Sequence, residues 1–92
     1  MTLLIKLYGD LRKKVDNLPS YHRETNTLKI EINNIKNVLD ILDKLMINKE
    51  EISHIFVNNK YSKLEKEVKN GDRIGIFPRR MAILFVEIKD PF

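Results

Sequence analysis

The chain has no cysteine among its 92 residues. That excludes a disulfide framework, a thiolate nucleophile, an iron–sulfur cluster and a cysteine-ligated zinc. Imidazole is nearly as scarce. His22 and His54 are the two histidines, and neither belongs to a spacing that marks a metal site. Glycine occurs three times, at Gly9, Gly71 and Gly75, too sparsely for a loop that cradles phosphate. Long apolar runs are also missing: Met81–Val86 falls far short of the roughly 20 residues a membrane-spanning helix needs. Near the N-terminus, Leu3-Leu4-Ile5 is interrupted by Lys6 with no basic segment before it, unlike a secretory signal. Ser20, Ser53 and Ser62 belong to no recognisable nucleophile motif in the sequence, which leaves no visible catalytic triad. The expectation is a cytoplasmic protein that is not an enzyme and holds neither metal nor cofactor.

What remains is one domain spanning 1–92, with 42% apolar and 33% charged residues, ordinary for a globular chain. At this size a total stability of about 5–14 kcal/mol is expected. The net charge of +4 is unevenly spread. From Met1 to Val57 nine basic residues nearly balance eight acidic ones. From Asn58 to Arg80 seven basic residues face three acidic ones. Such a segment either forms a solvated lysine-rich loop or steers an acidic partner, protein or nucleic acid.

Hydrophobic periodicity gives a mixed α and β order. Leu3 to Tyr8 is rich in strand formers and stops at Gly9-Asp10. Arg12–Thr27 is polar, contains Pro19 and reads as an exposed loop, unusually long for a small domain. Leu28-Lys29-Ile30-Glu31-Ile32 alternates cleanly, as a half-buried strand does. Ile35, Val38, Leu39, Leu42, Leu45 and Met46 then recur at spacings of three and four, which predicts a helix. Asn33 or Asn34 is the expected N-cap and Asn48 the expected left-handed C-terminal residue. Ile55-Phe56-Val57 predicts a strand entering a turn at Asn58-Asn59. Tyr61–Val68 is irregular, with Leu64 and Val68 as inward anchors. Asn70-Gly71-Asp72 turns the chain into a last strand, Arg73–Phe77, stopped by Pro78.

Three segments carry a family resemblance. Leu7-Tyr8-Gly9-Asp10-Leu11-Arg12 resembles the first-strand signature of the small subunit of molybdopterin synthase and its relatives. Ile55-Phe56-Val57-Asn58-Asn59 is similar to their strand ending in Val-Asn-Gly. Asn70-Gly71-Asp72-Arg73-Ile74-Gly75-Ile76-Phe77-Pro78 resembles their Gly-Asp segment closed by proline. The likeness covers about Thr2–Pro78, and the thiamine-pathway sulfur carrier shares the outline (MoaD/ThiS). It implies an α+β, ubiquitin-like β-grasp fold: a mixed sheet of about four to five strands on one main helix. Gly9, Gly71 and Asp72 then read as architectural residues that shape turns.

In that family the chemistry belongs to a terminal Gly-Gly, whose carboxylate is adenylated and converted to a thiocarboxylate. Here no glycine follows Gly75, and the last residues are Asp90-Pro91-Phe92. The resemblance therefore implies the scaffold without the carrier tail. In its place stands Met81–Ile88, seven of eight residues apolar, the pattern of an extra C-terminal strand covered on both faces. It could fold back on its own sheet, pair with a second copy, or add to another protein. The expected partner-binding residues are Phe77, Arg79, Arg80, Ile83, Phe85 and Phe92, with the arginines pairing carboxylates or phosphates. Two functional expectations follow. One is an accessory subunit beside a larger protein, such as a pterin-cofactor enzyme, or a self-associating chain. The other is an RNA-binding module similar to TGS domains, with Tyr61 as a stacking residue among the lysines; a divergent sulfur carrier is the remaining alternative.

Overall fold

Alternation in the first strand sorts side chains to two sides of a sheet. Leu3, Ile5 and Leu7 are fully buried in the core, whereas Leu4, Lys6 and Tyr8 are partly exposed on the other face. The structure is a computed structural model and describes residues 1–79. Strand β1 (Thr2–Leu7) pairs antiparallel with β3 (Thr27–Glu31) and parallel with β6 (Arg73–Pro78). Strand β4 (Ile52–Val57) lies antiparallel on the other side of β6, and β5 (Lys60–Ser62) pairs with β4. A two-residue strand β2 (Tyr21–His22) edges β3. The described sheet thus has six strands in the order β2-β3-β1-β6-β4-β5, against the four to five expected.

Helix α1 (Val38–Lys44) covers one face of this sheet. Val38, Ile41 and Leu42 join Leu3, Ile5, Leu28, Ile74 and Ile76 in a single apolar cluster. Each such side chain contributes on the order of 1.5–3 kcal/mol by leaving water. The helix is shorter than its periodicity suggests, because its start is set by Asn37 and not by Asn33 or Asn34. The Asn37 side chain accepts the Asp40 N–H at 3.1 Å, and the Asp40 carboxylate accepts the Lys36 and Asn37 N–H groups at 2.7 and 3.3 Å. Two orphan donors are satisfied by one reciprocal pair. Asn34 instead sits in a turn at φ 62°. At the other end Met46, not Asn48, takes the left-handed conformation, at φ 58°.

The polar stretch after β1 is more ordered than its composition suggests. Gly9–Lys14 forms a 3₁₀ helix that buries Leu11, and Val15 just beyond it is wholly inside. Two apolar anchors in a polar segment suffice to pin it. Arg12 reinforces this, donating to the Gly9 carbonyl at 3.1 Å and to the Asn26 side chain at 3.4 Å.

At the far side, Asn58 and Asn59 both have positive φ, 52° and 68°. That is the two-residue turn whose twist matches paired strands, and it makes Lys60–Ser62 a strand where the sequence reads as irregular. Leu64 and Val68 do face the core. Gly71, at φ 87°, turns the chain into β6. Asp72 fastens this turn by accepting the Lys69 N–H at 2.8 Å and the Asn58 side-chain amide at 3.0 Å, which is the architectural role expected of it. The extra strand expected at Met81–Ile88 lies outside the described residues.

Candidate functional site

The side of the sheet away from α1 carries a contiguous set of rings. Register sets it: Phe56 pairs with Gly75 and Tyr61, and His54 pairs with Phe77. Tyr8 follows directly on β1, whose Leu7 pairs with Ile76. Tyr8 and Phe77 stack with ring centroids 4.1 Å apart and planes 10° from parallel. Phe56 meets Phe77 edge-on at 5.6 Å and Tyr61 at 5.7 Å. His54 meets Tyr61 edge-on at 5.5 Å, and its Nδ1 lies 3.2 Å from the Tyr61 hydroxyl oxygen. Lys6 places its ammonium 5.6 Å from the Tyr8 ring, within cation–π range. Neither Phe56 nor Phe77 belongs to the apolar cluster under α1.

A bulge explains how β4 serves both faces. Pairing shifts between Ile52, opposite Pro78, and His54, opposite Phe77. The extra residue, Ser53, donates its hydroxyl to the Pro78 carbonyl at 3.0 Å and the Phe77 carbonyl at 3.4 Å. Alternation is reset across it, so Ile52 joins the core while His54 and Phe56 stay with the rings.

The expected partner-binding residues divide. Phe77 is in the ring cluster but fully buried, with none of its surface exposed. Arg79 sits at the end of β6 and donates its Nε to the Glu50 carbonyl at 2.9 Å. Arg80, Ile83, Phe85 and Phe92 lie outside the described residues. Tyr8, Phe56 and His54 are not among the expected partner-binding residues. The signal for Tyr8 was its parity with Lys6, but Phe56 and His54 needed the bulge and the strand register.

The basic segment builds a separate feature. Lys60, Lys63, Lys66 and Lys69 line a groove of about 550 Å³ with Tyr61, but Glu65, Glu67 and Asp72 line it too. Tyr61, at 63% exposure, stands between this groove and the rings. A third polar cluster lies near the 3₁₀ helix. Glu51 accepts from the Asn48 N–H at 2.8 Å and from Lys14 at 3.0 Å. The backbone donor first, then Lys14, hold its carboxyl below its ordinary value. Among the described residues no group of three His, Asp or Glu side chains could hold a metal ion. No described helix is long and apolar enough to cross a membrane.

A mixed sheet with β1 and β6 parallel at its centre and one main helix across one face defines a ubiquitin-like β-grasp protein. The chain belongs to the ThiS family, whose model matches residues 5–79. Solved structures show the same fold at low identity. A candidate molybdopterin converting factor subunit 1 from Pyrococcus furiosus superposes with a TM-score of 0.60 at 20% identity, covering 85% of this chain and 97% of that one. Small archaeal modifier protein 1 from Haloferax volcanii gives 0.59 at 18% identity, covering 84% and 95%. No curated protein matches the sequence significantly.

Proposed function

We propose that this chain is a non-catalytic interaction protein of the ThiS family that works in the cytoplasm by docking non-covalently on a larger subunit. The observation that carries the reading is the segment directly after β6: Met81–Val86 is six apolar residues without a break. A carrier tail must thread to a reacting centre and present an unhindered carboxylate. Side chains such as Phe85 and Phe92, with Pro91 between them, suit an apolar contact instead. The partner-binding residues in this reading are Arg79, Arg80, Ile83, Phe85 and Phe92, with Phe77 supporting them from within the ring cluster. The partner class is suggested by the Pyrococcus neighbour, described as a subunit of a molybdopterin converting factor. A larger pterin-pathway subunit is the occupant this scaffold fits best.

The test offers the full chain to a sulfur-carrier adenylating enzyme with ATP and a sulfur donor, read by intact mass. The expected result is no adenylate and no thiocarboxylate. A thiocarboxylate on the chain would overturn the reading. The docking half is tested by light scattering with the purified large subunit of a molybdopterin synthase, where an equimolar complex is expected. Salt-sensitive binding of single-stranded RNA, with no protein complex, would favour the TGS-like alternative.

A further inference from the structure

We propose that the lysine-lined groove beside β5 is a docking site for an extended, acid-rich segment of a partner protein. The inference goes beyond the docking reading: it uses none of the residues named there and stands if that reading fails.

Register and a pinned loop build the groove. Lys60 and Ser62 lie opposite Val57 and Ile55 and share the α1 side of the sheet, while Tyr61 lies with Phe56 on the ring side. The chain then runs as a loop fastened to the start of α1. The Leu64 and Lys66 carbonyls accept the Leu39 and Val38 N–H groups, both at 3.1 Å, and the Val68 N–H donates to the Lys36 carbonyl at 3.0 Å. Leu64 and Val68 pack inward, which leaves Lys63, Lys66 and Lys69 exposed. The groove so formed measures about 550 Å³, room for a short stretch of extended chain. A loop held this way loses little freedom when a ligand settles on it.

Charge identifies the occupant. Lys60, Lys63, Lys66 and Lys69 line the groove, and none of their ammoniums forms an ion pair among the described residues. Of the three carboxylates that line it, Asp72 is committed to its turn, accepting from the Lys69 N–H and the Asn58 amide. Glu65 and Glu67 remain, and they break the positive charge into separate points. A continuous run of phosphates would meet repulsion at each break. An extended peptide instead sets a side chain on one face at every second residue. Carboxylates there meet the lysines, and the backbone N–H groups between them donate to Glu65 and Glu67.

Tyr61 points the same way. Its ring meets Phe56 and His54 edge-on, and its hydroxyl oxygen lies 3.2 Å from His54 Nδ1, which holds it to the ring side. Among the described residues no second aromatic lines the groove, whereas single-stranded nucleic acid is gripped by successive stacking rings.

The test follows backbone amide NMR shifts of the full chain on titration with a capped peptide of alternating glutamate and serine. Saturable shifts confined to Lys60–Asp72 and the start of α1 are expected. Absence of any shift, or shifts spread over the whole surface, would overturn the proposal. An exposed ion pair is worth a factor of about 1.4–5 in affinity. Lys63→Glu with Lys66→Glu removes two pairs and adds repulsion, and should weaken binding about ten-fold. Lys13→Glu with Lys29→Glu makes the same change in net charge away from the groove and should leave the affinity unchanged. Equal weakening by both pairs would reduce the effect to general charge attraction and overturn the proposal. Tighter binding of a uridine oligonucleotide of matched charge would assign the groove to nucleic acid. Shifts of the same amides on concentrating the chain alone would assign it to a second copy, and either result overturns the proposal. Lys63→Ala with Lys66→Ala serves if the charge reversal does not fold, with a smaller loss expected and no loss overturning the assignment.

Discussion

Replacing Phe77 tests whether the ring cluster is a second packed layer or a loose surface. Truncating a fully buried phenylalanine to alanine costs about 3–5 kcal/mol through lost transfer energy and an unfilled cavity. Phe77→Leu keeps most of the volume and removes the ring pairs with Tyr8 and Phe56. At about 0.5–1.5 kcal/mol per pair beyond area, it should cost about 1–3 kcal/mol. For a domain of this size each kcal/mol moves Tm by roughly 4–8 °C. The leucine variant should therefore melt some 4–24 °C lower, roughly the product of those two ranges. Urea denaturation followed by circular dichroism gives the free energies. A double-mutant cycle of Phe77→Leu with Tyr8→Leu isolates the stack, with an expected coupling of about 0.5–1.5 kcal/mol. The control cycle pairs Phe77→Leu with Ile41→Val across the sheet and should be additive within about 0.5 kcal/mol. If Phe77→Ala cost less than about 1 kcal/mol, the ring would not be packed as described and the reasoning would fail.

Asn37→Ala should cost about 1 kcal/mol in urea denaturation by removing the acceptor for the Asp40 N–H, whereas Asn34→Gly, which keeps the positive φ of Asn34, should leave stability nearly unchanged. Gly71→Ala meets no atom within 4 Å of an added Cβ, so its cost of about 1–2 kcal/mol would be purely that of positive φ. Gly71→Asn should cost less, and equal losses would point to a steric cause instead. The Glu51 carboxyl is held below its ordinary value near 4.5. Its contribution to stability is therefore present above the unfolded-state value and is lost as pH falls through the lower folded-state value. The urea midpoint of wild type should drop further between about pH 6 and about pH 3 than that of Glu51→Gln; parallel profiles would refute the assignment.

Legibility followed the range of the forces involved. The alternation in Leu28–Ile32 and the turn at Asn70-Gly71-Asp72 are local, and both appear where the sequence places them. The helix was visible in its apolar spacing, but its boundary was decided by the reciprocal bond between Asn37 and Asp40, which outcompetes two equally plausible asparagines. Val15, wholly inside, lies in a segment that reads as a polar loop because its partners are distant in sequence. Strand β5 depended on both asparagines of a turn adopting positive φ, a choice that side-chain type permits without compelling. The ring cluster was hardest to see. Tyr8, Phe56 and Phe77 come from three separate strands, and the bulge at Ser53 shifts the parity of one of them. Of the expected partner residues, Arg79 is placed at the rim and Phe77 inside the face.

The position of β6 has a consequence for the order of events during synthesis. β1 is the first strand made, yet it lies between β3 and β6, and β6 closes only with Pro78. Until that residue is available, β1 has one neighbour, β4 has only its hairpin partner, and α1 has half a floor. Among the described strands the sheet is thus joined across its middle by the last made, and pairings this distant in sequence are slow to form. A nascent chain stopped before Arg73 would be two unjoined hairpins and a helix, with the apolar faces of both hairpins uncovered.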